Sequence, residues 1–167
     1  MTVMTVDELL REYAAGERNF PGIILGNEIQ SIKNADLRDI NLRGAILEKA
    51  IIKNTNLTNA DLRGSGMVFS RLSDVDLTEA DLRGASLRYI QWLNVNLTKA
   101  TLYRADLMRS HLRANLEYTD LEEAVLVNTS LRGSWNINPF RSHNALIWNL
   151  KMPDGTIDEG PRFEFIE

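Results

Sequence analysis

From Ile32 to Leu131 a large apolar residue returns at every fifth position. The series runs Ile32, Leu37, Leu42, Leu47, Ile52, Leu57, Leu62, Met67, Leu72, Leu77, Leu82, Leu87, Trp92, Leu97, Leu102, Leu107 and Leu112. After one shortened step it continues through Leu116, Leu121, Leu126 and Leu131. Two places before most of these centres stands a small or β-branched residue, most often alanine, as at Ala35, Ala45, Ala60, Ala80, Ala105 and Ala124. Neither an amphipathic helix, with its 3.6-residue period, nor an open strand, with its period of two, produces this beat. A five-residue unit is too short to bury anything alone, so its stability has to come from stacking on further units.

A second period sets the size of one turn. Asn41-Leu42-Arg43-Gly44, Asp61-Leu62-Arg63-Gly64 and Asp81-Leu82-Arg83-Gly84 recur at intervals of twenty. Asn56-Leu57-Thr58, Asp76-Leu77-Thr78 and Asn96-Leu97-Thr98 recur at the same interval in another phase. Four pentapeptides therefore make one coil, and residues twenty apart stack about 4.8 Å from each other, the spacing of hydrogen-bonded strands. The expected architecture is an all-β, square-sectioned parallel solenoid, with the centres and the small residues inside and no room left for a substrate. Trp92 is the misfit in its column of Ile52, Leu72 and Leu112, and its size predicts a local bulge or a ring directed partly outward.

The beat has two irregular steps. Four residues separate Leu112 from Leu116, which tightens a corner or shifts the register; seven separate Leu25 from Ile32, which predicts an incomplete opening coil at Phe20 and Leu25 followed by a two-residue bulge. Open solenoid ends expose unpaired strand edges and need covers. Thr5-Val6-Asp7-Glu8 is a capping box that predicts a short helix over residues 6 to 15, ended by Gly16. Beyond Leu131 the beat stops, and Trp135, Ile137, Phe140, Ile147, Trp148 and Leu150 supply bulk for the opposite cap. Pro153-Asp154-Gly155 predicts a turn between paired segments, Ile147 to Met152 and Thr156 to Phe165. The expected organisation is a helical cap over 1–19, a repeat region over 20–133 and a terminal cap over 134–167.

The motif seen in Ala35-Asp36-Leu37, Ala60-Asp61-Leu62, Ala80-Asp81-Leu82 and Ala105-Asp106-Leu107 resembles the pentapeptide-repeat family. The segments from Glu8 to Arg18 and from Met152 to Ile157 are similar to those of small cyanobacterial members. The resemblance implies a right-handed quadrilateral β-helix with β-turn corners; the handedness comes from the resemblance alone. It also implies a bacterial protein, in a family of diverse function with one branch that mimics DNA and binds gyrase.

The 167 residues suffice for one domain with a core. A net charge of −4 argues against binding nucleic acid through its phosphates, which needs a clustered basic surface. The absence of cysteine fits a reducing compartment, and the N-terminus lacks the basic and apolar regions of a secretory leader, so a soluble cytoplasmic protein is expected, without membrane attachment.

Sorting the outward positions by side separates four surfaces. The side centred on Leu37, Leu57, Leu77, Leu97 and Leu116 carries Asp36, Asp39, Asp76, Glu79 and Glu117 against Arg38 and Lys99. The side centred on Ile32, Ile52, Leu72, Trp92, Leu112 and Leu131 carries Lys33, Lys53, Arg71, Arg113 and Arg132 against Asp74 alone. On the side of Leu42, Leu62 and Leu82, Arg43, Arg63 and Arg83 stand beside Asp61 and Asp81, which interrupts any phosphate-like row of acids. The side centred on Leu47, Met67, Leu87, Leu107 and Leu126 is apolar outside, with Val68, Phe69, Tyr89, Met108, Val125 and Val127, and Arg109 stacked beyond Tyr89. A contiguous apolar stripe is a candidate protein-docking or self-association surface.

No motif for catalysis stands out. His111 and His143 have no reason to converge, and no His-x-Glu, Cys-x-x-Cys, phosphate-loop, dinucleotide or nucleophile-elbow pattern occurs. Asp120, Glu122 and Glu123 form a local acidic group best read as a solvated corner. The expectation is a non-catalytic module for protein interaction or structure, with no cofactor, metal or small-molecule substrate, bound to a protein partner or to itself; the alternative is a DNA-mimicking inhibitor or protector of a gyrase-type topoisomerase.

Overall fold

The computed structural model describes residues 2–26, 30–137 and 142–163. The chain enters with β1 (Val3–Met4) and α1 (Val6–Ala14), then passes through β2 (Ile24–Leu25), β3 (Ser31–Lys33), β4 (Ile51–Asn56), β5 (Arg71–Asp76), β6 (Gln91–Asn96) and β7 (His111–Asn115). It continues through β8 (Val125–Val127), β9 (Leu146–Trp148), β10 (Leu150–Lys151), β11 (Ile157–Asp158) and β12 (Arg162–Phe163). Strands β3 to β7 stack in sequence order as a five-stranded parallel sheet, one side of a square. The other sides are held by single parallel bridges, as at Asp61 to Asp81 and Ser86 to Asp106. One column of partners runs the length of the rod through Val3, Ile24, Ile46, Gly66, Ser86, Asp106, Val125 and Leu146, so the solenoid makes about seven turns.

The inside positions follow the five-residue beat. Leu42, Leu62, Leu82, Leu102 and Leu121 are buried to 1% exposure or less, and so are Ala45, Ala60, Ala80, Ala100 and Ala124 two places before centres. Corners are turns in which the amide of the small residue reaches the carbonyl of the centre three before it, as from Ala80 to Leu77 and from Ala85 to Leu82. The residue between them has positive φ, as at Glu79 (59°) and Gly84 (65°), which is the second central position of a type II turn. Buried hydroxyls cross-link the coils: Ser70, Ser110, Thr119, Thr129 and Ser134 each donate to the carbonyl of a centre in the preceding coil at 2.6 to 2.9 Å.

Of the two outcomes expected for Trp92, the outward ring is not found. Trp92 is 3% exposed and in register with Leu72 and Leu112, because alternation along β6 directs it inward whatever its size. The same alternation leaves Leu93 outside at 49% exposure. The only register shift in this sheet lies between β6 and β7, where Leu93 pairs with Arg113 and Val95 with Ala114. The missing residue of the short step is thus the one that would face Asn94, which occupies the positive-φ corner at 58°. Ser134 from the next coil covers the shortened corner, donating to the Leu112 carbonyl at 2.7 Å and accepting from the Ala114 amide at 3.3 Å.

Helix α1 carries the expected capping box: Thr5 Oγ1 accepts from the Glu8 amide, and Glu8 Oε2 accepts from the Thr5 amide at 2.8 Å. Leu9 is fully buried, and the Tyr13 hydroxyl donates to the Arg38 carbonyl at 2.9 Å, fastening the helix to the first coils. The two-residue bulge expected after Leu25 falls on residues 27–29, outside the described residues; Phe20 and Leu25 themselves are buried and stack on the coil of Leu42 and Leu47.

At the other end the stacking runs past residue 133. Strand β9 pairs in parallel with β8, and Lys151 bridges to Ser130, at a spacing of 21. Ala145, Ile147 and Leu150 are buried as Ala and Leu are elsewhere, with Met152 partly buried against them. Beyond this coil β10 and β11 form the expected hairpin, its turn fixed by Asp154 Oδ1 accepting from the Thr156 amide at 2.9 Å, and β12 lies antiparallel on β9. Phe140 and the end of the segment to Phe165 lie outside the described residues.

Candidate interaction face

On the side centred on Leu47, Met67, Leu87 and Leu107, the positive-φ corner of successive coils is filled by Lys49 (60°), Phe69 (61°), Tyr89 (57°) and Arg109 (58°). Only glycine and, less readily, asparagine take this conformation without strain, and a bulky side chain there is unusual. The amides of Lys49, Phe69 and Tyr89 donate to the carbonyls of Val68, Arg88 and Met108, so the column advances one coil per residue.

The Phe69 and Tyr89 rings stack with centroids 4.7 Å apart and planes inclined by 19°. Phe69 remains 54% exposed. The stack continues into Arg109, whose guanidinium lies 5.7 Å from the Tyr89 ring centroid and donates from Nη1 to the Tyr89 hydroxyl at 2.9 Å. Beside this ridge Val68, Met108 and Val125 are half-buried. Arg88 spans the next column, reaching the Asp106 carboxylate at 3.7 Å and the Met108 sulfur at 3.8 Å.

The structure therefore brings Val68, Phe69, Tyr89 and Met108 together on one outer surface. Val125 lies farther along the same side. Val127 does not join them: it is 8% exposed, in register with Trp148 of β9. Exposed apolar groups also occur elsewhere, with Tyr118 at 56%, Trp148 at 53% and Trp135 at 39%. Trp135 and Trp148, expected as bulk for the terminal cap, thus face solvent in large part, and Tyr118 stands among polar neighbours on another side.

Ion pairs run along the arginine column and the acid-rich side, whereas among the described residues Lys33, Lys53, Arg71 and Arg113 make none. Arg63 and Arg83 make ion pairs with Asp61 and Asp81 at 2.5 and 2.6 Å, and Arg63 also reaches Asp81 at 3.6 Å. On the acid-rich side Arg38 holds Asp36 at 2.7 Å and Lys99 holds Glu79 at 3.3 Å. Hydrogen bonds from Arg38 and Arg63 keep the Asp36 and Asp61 carboxyls below the usual carboxylate range. Glu123 accepts from Arg104 Nε at 2.6 Å and from the Tyr103 hydroxyl at 2.8 Å, which lowers its carboxyl in the same way. Asp120 accepts from the Glu122 amide at 2.9 Å. Among the described residues no three His, Cys, Asp or Glu side chains are grouped to hold a metal ion. No helix among them is long and apolar enough to cross a membrane.

The family profile for pentapeptide repeats matches in eight copies, over residues 31–65 and 70–113. No curated protein matches the sequence. Among solved structures, a pentapeptide repeat protein from the Arabidopsis thaliana thylakoid lumen is 27% identical over 59% of this chain and 70% of its own, with a TM-score of 0.56. QnrB1, a plasmid-mediated fluoroquinolone resistance protein, is 17% identical over 79% of this chain and 70% of its own, with a TM-score of 0.44. A pentapeptide repeat protein from Nostoc PCC 7120 is 31% identical over 71% of this chain and 82% of its own, with a TM-score of 0.26. With the repeat read in the sequence, the twenty-residue coils and this degree of identity, the chain belongs to the pentapeptide-repeat family.

Proposed function

We propose that this protein is a non-catalytic binding module of the cytoplasm, which presents a rigid outer surface to a protein partner. The observation that carries this reading is the stacked pair Phe69 and Tyr89, whose rings lie 4.7 Å apart on the outer surface, with Phe69 54% exposed. An apolar group that is stacked yet left facing solvent is suited to contact with a partner. The apolar filling of the solenoid interior supports a role confined to outer surfaces and ends.

Phosphate mimicry toward a gyrase is the weaker reading. It needs uninterrupted acidic rows, whereas Asp36, Asp61, Asp81 and Glu79 each have a cationic partner.

Capture from native lysate with the wild-type chain and with Phe69→Ser/Tyr89→Ser tests the proposal. A partner retained by the first and lost by the second, at equal folding, is the expected result; identical retention would refute this face as the binding surface. Inhibition of gyrase supercoiling by the wild-type protein would reinstate the mimic.

A further inference from the structure

The partner's chemistry is written in the charges around the aromatic ridge. Among the described residues Lys49, Arg71 and Arg109 form no ion pair, as is also true of other cations such as Arg43, Lys53 and Arg113; what sets Lys49 and Arg109 apart is their place in the aromatic column. Lys49 stands one coil before Phe69 in the positive-φ column, Arg109 one coil after Tyr89, and Arg71 opens β5 two residues beyond Phe69. A chain of net charge −4 thus brackets its aromatic pair with unpaired cations.

Arg109 is preorganised as well as unpaired. Its bond to the Tyr89 hydroxyl uses one of five guanidinium N–H donors and fixes the group beside the ring. The other donors form a fork that matches a carboxylate, and a held fork loses less entropy on binding than a free side chain.

Spacing distinguishes the shapes a ligand could take along the ridge. The coils advance by about 4.8 Å. A helix rising 1.5 Å per residue returns a side chain to one line after three or four residues, about 4.5 to 6 Å, and after seven, about 10.5 Å against two coils at about 9.6 Å. An extended chain repeats a same-side residue every 6.7 Å or so, out of step after one coil.

We propose that this corner binds an amphipathic helix of a partner protein in the order acidic, apolar, apolar, acidic, at intervals of three to four residues. The two apolar side chains lie on Phe69 and Tyr89 between Val68 and Met108, and the terminal carboxylates meet Lys49 at one end and Arg109 at the other. This inference rests on the reading of the face as a binding surface, and it adds the fold and charge of the occupant.

The test is selection from a phage-displayed library of random peptides several helical turns long against the full wild-type chain, followed by titration of the selected peptides on Phe69→Ser and Arg109→Gln. The expected peptides show the acidic, apolar, apolar, acidic order and become helical on binding. Arg109→Gln, a surface change, weakens them about tenfold, and that loss disappears when the carboxylate facing Arg109 is replaced by an amide. Basic, proline-rich or extended peptides that still need Phe69 would overturn the acidic helix and leave the binding face intact. Peptides indifferent to Phe69→Ser, or an empty selection, would overturn the inference outright. A dimer in sedimentation equilibrium that Phe69→Ser dissociates would replace the helix by a second copy of this chain.

Discussion

Ser70 Oγ donates to the Leu47 carbonyl oxygen at 2.7 Å, one coil away, and accepts from the Ala50 amide at 3.2 Å, so one buried hydroxyl staples the corner of the neighbouring coil. Ser65 occupies the same kind of inward position, fully buried, yet its hydroxyl finds no partner among the described residues. The two serines should respond oppositely to loss of the hydroxyl. Ser70→Ala is expected to destabilise by about 1 to 2 kcal/mol, the net value of a buried hydrogen bond. Ser65→Ala, with Ala45 and Ala85 as column neighbours, is expected to be neutral or stabilising by up to about 1 kcal/mol, since it removes an unpaired polar group. Paired urea denaturation curves check both, and a larger loss at Ser65 than at Ser70 would contradict the assignment.

The beat also fixes what the interior tolerates. Leu82 is wholly buried and Ala80 is 1% exposed. Leu82→Ala is expected to cost about 2 to 5 kcal/mol by opening space between coils. Ala80→Leu is expected to cost about 1 to 3 kcal/mol or more, because an added side chain against the wall must displace neighbours. Thermal melts of both variants near the wild-type midpoint would show that inside and outside had been exchanged.

Which parts of the molecule could be read from the chain follows from which physics is periodic. Burial is periodic, so the centres and alanines named their own positions, and the capping box at Thr5 and Glu8 named the helix start. The final coil was overlooked because its spacing is 21 and its centres are Ile147 and Met152 instead of leucine. The five-residue beat does return there, with Ala145 and Leu150 two places before each. The corner conformation at Phe69 and Tyr89 was illegible for a different reason. Positive φ is signalled in sequences by glycine or asparagine, and here the stacked backbone imposes it on Lys, Phe, Tyr, Arg and Glu alike. Spacing placed Arg109 beside Tyr89, but only side-chain geometry reveals that it is held there without a carboxylate.

That imposed conformation has a measurable cost. Tyr118 sits at φ 54° and is 56% exposed, so its ring gains little from burial. Tyr118→Gly is expected to stabilise by up to about 1 kcal/mol through relief of left-handed strain. Gly84 at φ 65° has open space around the position of an added Cβ, so Gly84→Ala probes the backbone alone and should cost about 1 kcal/mol. Chemical denaturation measures both; a stabilising Gly84→Ala would exclude strain as the governing factor at these corners.

Acid should weaken the rod in a definable window. Hydrogen bonds from Arg63, Arg38 and Arg104 lower the carboxyls of Asp61, Asp36 and Glu123 in the folded chain. A lowered folded pKa means that the unfolded chain binds protons first, so this contribution is complete above about pH 4 to 5 and is lost as pH falls through the folded values. The urea midpoint is expected to fall below about pH 4, and less steeply in Asp61→Asn than in the wild type. These pairs are largely exposed, so added salt should also reduce the difference between the two proteins. Equal acid sensitivity in both would dismiss the Arg63 pair as a contributor.

The short step at β7 makes the most demanding prediction, because it states where an extra residue is welcome. Leu93 stacks on Arg113 and Val95 on Ala114, so Asn94 faces no residue in the following coil. Elsewhere on this side the corner residues join by side-chain hydrogen bonds, Asn54 to Asn34 at 3.0 Å and Asn94 to Asp74 at 2.9 Å. An asparagine inserted between Arg113 and Ala114 would restore the twenty-residue coil and supply the missing rung. The fold should persist, with a melting midpoint within about 4 °C of the wild type, the shift that about 1 kcal/mol produces in a chain of this length. The same insertion between Arg83 and Gly84 meets a complete corner and must either bulge or turn the next side chains to the wrong face. Its midpoint should fall well below that of the first insertion. The reverse order would mean that the gap opposite Asn94 is closed by the covering Ser134 contact and cannot be refilled.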